Sequence, residues 1–384
     1  MARRKSVSKN IKSTITKTVS FLLVAFILVM AIICYLNPVL YNKILRLIGK
    51  TDLLGNISHT DYNSTEDSAM IVHFIDVGQG DAILIELPDE TKMLIDAGDN
   101  KIENNNKLVS YLTDINITKI DYLIATHADA DHIGGMDKIF YNFEVKKVYR
   151  PYVFYAGDDY SFSKIFNKGA SSYAQSSKTY GGFLNDILNE TYVENGKTKK
   201  CDWVFFDSYN HDFGGNIYYE GVNIKYAVDF LTPTSDLSKL EYADANDYSP
   251  IIKVSYGDFD LLLTGDAEKS SEAEFVKAYS EKEEYINYVD VELLKVGHHG
   301  SGTSTSKAFL NLIKPEYAVI SCGEGNSYFH PHQEVLDRLI NANCQNVYRT
   351  DNNGDIVLTI KRSGEFKFDV AKYSENNLIA PIRS

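Results

Sequence analysis

"ATHADADHIGG", residues 125–135, sets two histidines and two aspartates within six positions, His127 to His132, directly behind the apolar run "IDYLIA". Burying such groups is costly unless they are paired or bound to a metal. Loops at strand ends are where sheets present their chemistry. His and Asp are ligands for zinc and other divalent ions. Four such groups in six residues suit two adjacent ions far better than a solvated loop does.

The same residue types recur at other strand ends. "TKMLIDAGDN" carries Asp96, "FDLLLTGDAE" carries Asp266, "VELLKVGHHGS" carries His298 and His299, and "SYFHPHQEV" carries His330 and His332. With His73, seven of the nine histidines fall in or near these stretches. Around them, short apolar runs bounded by turn signals predict strands: "MIVHFIDVG", "DAILIEL", "TKMLIDAG", "KIDYLIATH", "IIKVSYG", "FDLLLTGD", "VELLKVGHHG", "YAVISCG", "DIVLTIK" and "EFKFDV". Helical stretches fall at "NNKLVSYLTDI", "AEKSSEAEFVKAYS", "SKAFLNLIK" and "HQEVLDRLINA". Early hairpins followed by alternating strand and helix predict an α/β (α+β) body of sheets covered by helices. Residues 155–200, rich in Gly, Ser, Asn, Tyr and Lys, break the rhythm and read as an insertion. Their six lysines and several tyrosines suit either a substrate wall or a variable surface loop.

The N-terminus has a different character. Residues 1–17 hold six Lys/Arg and no acid, a basic cytoplasmic tail. Residues 18–42 carry no charge and are long enough for a membrane-spanning helix, which needs about 20 apolar residues. A signal peptide, with an apolar core of about 7–15 residues and a small-residue cleavage site, is the competing reading. The basic flank places the N-terminus inside and the body outside the cytoplasmic membrane, a single-pass anchor in the lipid bilayer. Residues 43–69 read as a linker and 70–384 as the body.

The 384 residues carry a net charge of −13 and are 44% hydrophobic, which suits a sizeable core. A nucleic-acid binder usually presents a positive face, so any such contact here rests on local lysines or metal ions. The cysteines, Cys34, Cys201, Cys322 and Cys344, form no C-x-x-C pair and read as buried free thiols.

Six motifs stand in order: "FIDVGQGDA" (74–82), "IDAG" (95–98), "THADADHIGG" (126–135), "LLTGD" (262–266), "LLKVGHHGS" (293–301) and "HPH" (330–332). Together they resemble the metallo-β-lactamase-fold hydrolases, whose signature is H-x-H-x-D-H after a strand. Here Asp129 replaces the second histidine. Within that group they resemble the hydrolase domain of the ComEC competence proteins.

The resemblance implies a four-layer αββα sandwich with metals at the sheet edges. It implies two divalent ions, zinc or manganese. One would take His127 and Asp129. The other would take Asp131, His132 and a late histidine, with His298, His299 and His330 all open. Asp266 would bridge the two. Asp96 and Asp81 would support the metal loops, and Asn246 and Ser249 stand where the superfamily expects a histidine. Asp131, His299 and His330 are the catalytic candidates. The expected activity is phosphodiester hydrolysis of DNA outside the membrane. A hydrolase of cell-wall phosphodiesters, such as a teichoic-acid phosphorylcholine esterase, and a non-catalytic binding module are the alternatives.

Overall fold

The structure, a computed structural model, describes residues 69–157, 174–206, 217–220, 225–344 and 346–381. The expected tail, anchor and nearly all of the linker lie outside these residues, as do 158–173 of the expected insertion. Among the described residues, no helix is long and apolar enough to cross a membrane.

The chain opens with a meander: β1 (Ala69–Phe74), β2 (Ile83–Glu86) and β3 (Lys92–Ile95) pair antiparallel. Helix α1 (Ile102–Asp114) then crosses to β4 (Lys119–Ile124), parallel to β3. Two short helices, α2 (Ala130–Ile133) and α3 (Met136–Asn142), lead to β5 (Glu144–Arg150), parallel to β4. Parallel neighbours need such crossovers, which put helices on a sheet face. Two short strands, β6 (Phe154–Tyr155) and β7 (Ala174–Gln175), precede α4 (Lys178–Asn189) and a hairpin of β8 (Thr191–Glu194) and β9 (Lys197–Lys200). Strand β10 (Asp202–Phe205) then returns to the edge beside β5.

The second sheet begins with β11 (Ile217–Glu220), β12 (Lys225–Phe230), β13 (Ile252–Tyr256) and β14 (Phe259–Leu263), all antiparallel. Helices α5 (Lys269–Tyr279) and α6 (Glu283–Val289) lead to β15 (Leu293–Lys295), and α7 (Lys307–Ile313) leads to β16 (Tyr317–Ile320). Helix α8 (Gln333–Asn341) leads to β17 (Asn346–Arg349), and β14 to β17 run parallel. After the short α9 (Thr350–Asn353), β18 (Ile356–Lys361) and β19 (Phe366–Val370) rejoin the first sheet beside β1. Among the described residues the two large sheets hold eight and seven strands.

Alternation along the strands sorts the core into layers. Met70, Val72 and Phe74 of β1 meet Val254, Leu261 and Leu263 of the second sheet in one buried cluster between the sheets. On the far side of the first sheet, Leu84, Leu94 and Leu123 pack against Leu108 and Leu112 of α1 and Ile139 of α3. On the far side of the second, Leu262, Leu294 and Ala318 pack against Phe275, Phe309 and Leu336. This is the four-layer αββα order.

The stretch expected as an insertion includes a folded element. In α4, Tyr180, Phe183, Leu184 and Ile187 recur at helical spacing and are buried in the helical layer over the first sheet. Ser177 caps it, its Oγ accepting from the Tyr180 N–H at 3.2 Å. The Tyr180 hydroxyl donates to the Val153 carbonyl at 2.7 Å. Cys201, Cys322 and Cys344 are buried free thiols, as expected.

Candidate metal centre

Asp96 directly follows β3 with φ 57°, a left-handed backbone unusual for a non-glycine residue. Its carboxylate offsets that strain by accepting from the Thr126 N–H at 2.9 Å, the Thr126 hydroxyl at 2.7 Å and His132 Nδ1 at 2.6 Å. The loop after β4 is thereby tied to the end of β3. Beneath it, Gly80 has φ 123°, and a Cβ there would sit 2.1 Å from the Asp131 carbonyl oxygen. Only glycine lets the β1–β2 loop approach so closely.

From the second sheet come Asp266, after β14, and a turn after β15 in which His298 (φ 46°) and His299 (φ 53°) are both left-handed. Such a pair persists only where its surroundings hold it. His299 Nδ1 donates to the Ser321 carbonyl at 2.9 Å. His298 Nδ1 donates to Glu268 at 2.7 Å.

Asp131, His132, Asp266 and His299 thus converge, with ligand-type atoms within 4.8 Å of one another. His132 Nε2 stands 3.2 Å from Asp266 Oδ1, and His299 Nε2 stands 3.3 Å from Asp266 Oδ2 and 3.4 Å from Asp131. His127 is fully buried, its Nδ1 3.1 Å from the Thr126 hydroxyl and 3.3 Å from that of Ser249. The Ser249 hydroxyl also accepts from the Asp266 N–H at 3.1 Å. Asp129 stays at the rim, 4.0 Å from His127 Nε2 and outside the convergent set. His298 Nε2 is 3.8 Å from Asp266. The His330 ring is buried 5.5 Å, centroid to centroid, from that of His298.

Two observations test whether these residues suit a divalent ion. First, the Nε2 atoms of His132 and His299 face each other at 3.2 Å. With Nδ1 of each donating outward, both neutral rings turn a lone pair inward, the ligand tautomer. Burial opposes charge on these rings, but Asp266 with Asp96, and Asp266 with Asp131, draw both well above the ordinary histidine range. Two imidazolium rings cannot share that gap, whereas a cation satisfies both nitrogens and the carboxylates. Second, buried His127 Nε2 has no hydrogen-bond partner among the described residues. The residues fit. Burial pushes His127 down to about 3, and burial with the His299 and His298 rings pushes His330 down to about 3, so both are neutral near pH 7.

Other expected residues lie further out. Asp81 forms a buried ion pair with Lys295 at 2.8 Å and places its other oxygen 3.4 Å from His299 Nδ1. Asn246 donates to Glu268 at 3.3 Å. His332 precedes α8, and its Nδ1 accepts from the Gly302 N–H at 3.0 Å. His73 of β1 pairs with Tyr111 of α1 and Glu86 of β2. Sequence reasoning missed Lys295 and Glu268. Lys295 had a visible signal, a charge inside the apolar run "VELLKVG". Glu268 had none, since a glutamate opening a helix is ordinary.

Comparison with known proteins agrees with this geometry. The chain is 28% identical over 326 residues to ComE operon protein 3 of Bacillus subtilis (strain 168), covering 80% of this chain and 36% of that protein. It is 27% identical over 312 residues to competence protein ComA of Neisseria gonorrhoeae, covering 81% and 35%. It is 27% identical over 271 residues to recombination protein 2 of Haemophilus influenzae, covering 70% and 26%. The chain thus spans between about a quarter and just over a third of the length of these curated relatives. They bear out the resemblance to competence proteins carried by the six motifs. The Metallo-beta-lactamase superfamily model matches residues 75–324, well over half of the chain. On that match, running from the end of β1 to just past β16, the chain belongs to the metallo-beta-lactamase superfamily.

Proposed function

We propose that the chain is a membrane-anchored, extracytoplasmic phosphodiesterase that acts on DNA and carries two divalent ions, zinc or manganese. The observation that carries it is the convergence of Asp131, His132, Asp266 and His299. The relatives named for competence and recombination point to DNA as the substrate.

Bound divalent ions supply Lewis acidity, activate water and neutralise charge on a phosphodiester. The chain's own residues arrange the rest. His132 and His299 present Nε2 inward because Asp96 and the Ser321 carbonyl occupy their Nδ1 atoms. Asp266 faces both rings and would bridge the two ions, with Asp131 closing the side. His127 and Asp129 would begin the second set. The Nδ1 partners also separate the late histidines. His298 and His299 are backed at Nδ1, while His330 Nδ1 has no partner among the described residues. His330 is therefore assigned to the substrate, its neutral ring meeting a phosphate oxygen. His298 and His299 are assigned to the ions.

The test is cleavage by the purified protein loaded with zinc or manganese. Single-stranded DNA, duplex DNA and a phosphorylcholine ester are compared, with and without chelator. Chelator-sensitive DNA cleavage is expected; cleavage of the phosphorylcholine ester alone would overturn the assignment. The anchor at 18–42 and the basic tail support the outside placement. External protease on intact cells should then digest the body, and a membrane-bound body that survives it would reverse the topology.

A further inference from the structure

Beside the metal centre, the loop between β16 and α8 carries Tyr328, 60% exposed, with its ring stacked on that of buried His330 at 5.5 Å and 22°. A single exposed aromatic is ordinary on a protein surface. The backbone that carries this one is not loose. The Asn326 side chain accepts from the His330 N–H at 2.9 Å and donates to the Gly323 and His330 carbonyls at 2.9 and 2.8 Å. The Gln79 side chain accepts from the Gly323 N–H at 3.3 Å. His332 Nε2 meets the Tyr328 carbonyl at 3.2 Å, and the His332 N–H donates to the Gly300 carbonyl at 2.9 Å. One face of the Tyr328 ring therefore lies over the histidine assigned to the substrate. The ring as a whole is largely open to solvent, on a backbone fixed before anything binds.

Charge narrows what this ring could receive. The chain is acidic, at −13, and the cluster adds Asp129 and Asp131 at its rim. A neighbouring cation is Lys101, which pairs with Asp99 at 2.9 Å. Asp99 beside it raises the pKa of its ammonium. Beyond the ions themselves, side chains around this ring offer a nucleic acid little phosphate neutralisation. Stacking on an aromatic face needs no charge complement and accepts any base. A base within a duplex is already stacked, so only an unpaired one is free to use the ring.

We infer that Tyr328 is a stacking platform for an unpaired nucleobase next to the scissile phosphate, which makes single-stranded nucleic acid the preferred substrate. The inference rests on the phosphodiesterase reading above.

The test uses the full-length, metal-loaded protein and a short single-stranded DNA whose bases are replaced one at a time by an abasic site. In the wild type, one position flanking the cut should raise KM about tenfold when its base is removed. Tyr328→Ala should raise KM by a similar factor on the intact oligonucleotide, lose sensitivity to that abasic position, and leave kcat less affected. Tyr328→Phe should keep wild-type behaviour. A cleavage-resistant phosphorothioate oligonucleotide carrying 2-aminopurine at that position should be quenched by the wild type and Tyr328→Phe but not by Tyr328→Ala. If DNA is cleaved but Tyr328→Ala remains as sensitive to the abasic position as the wild type, the platform is wrong and the phosphodiesterase reading stands. If the loaded protein cleaves no nucleic acid, both fall together.

Discussion

Each ring of the centre is fixed at Nδ1 by a partner of different strength. His132 meets the Asp96 carboxylate, His299 donates to a backbone carbonyl, and His127 meets two hydroxyls. Ligand basicity follows the partner, so His132 is the strongest of the three donors. Asp81 sits within 3.4 Å of His299 Nδ1 but is neutralised by Lys295, which leaves the carbonyl as the main partner of that ring. Asp266 is the residue on which both Nε2 atoms depend. Asp266→Ala is expected to lower the bound metal from two ions to one or fewer and to reduce turnover by at least about a hundredfold, the scale seen when one transition-state charge partner is lost. Asp266→Asn keeps the shape and removes the charge, and should fail in the same way. Elemental analysis together with single-turnover rates on a DNA substrate checks both. Full metal content in Asp266→Ala would remove Asp266 from the bridging position.

At the scale of elements, the parts legible in the sequence were those with one clear cause. Strands β1 to β4 and β13 to β16 are short apolar runs because both of their faces are covered. The metal loops showed because ionisable residues follow those runs at once. Strand β5, "EVKKVYR", was missed because charges interrupt it. Its Lys146 pairs with Asp121 at 2.9 Å, and its Arg150 is fully buried with the Phe205 ring 4.4 Å away. Helix α4 was hidden by the glycines and polar residues among its four buried side chains. If α4 is part of the core rather than an appended loop, Phe183→Ala should cost about 3–5 kcal/mol, the usual range for a buried phenylalanine. Denaturant unfolding of the purified protein measures it. A cost below about 0.5 kcal/mol, typical of a surface change, would return α4 to the status of an insertion.

Across the whole molecule, the centre joins the two sheets. Asp96 follows β3 and Asp131 and His132 lie in α2 behind β4, all on the first sheet's side, while Asp266 and His299 belong to the second. An ion held by His132, Asp266 and His299 would cross-link the layers across the seam that the interior cluster otherwise fills. The unfolded chain keeps the same residues but spreads them along the sequence from 96 to 299, so it binds a metal far more weakly. Binding to the folded state alone stabilises it by about 4 kcal/mol when free metal exceeds Kd a thousandfold. For a body of this size each kcal/mol moves Tm by roughly 2 °C or slightly less. Chelation followed by dialysis should therefore lower Tm by several degrees, and readdition of zinc or manganese should restore it, with the stronger-binding ion giving the higher Tm. The Asp266→Asn variant should show a much smaller response, because the ion loses its contact with the second sheet's carboxylate. If the wild-type Tm does not move although elemental analysis shows that the metal has left, the ions do not join the sheets, and their role is confined to one loop.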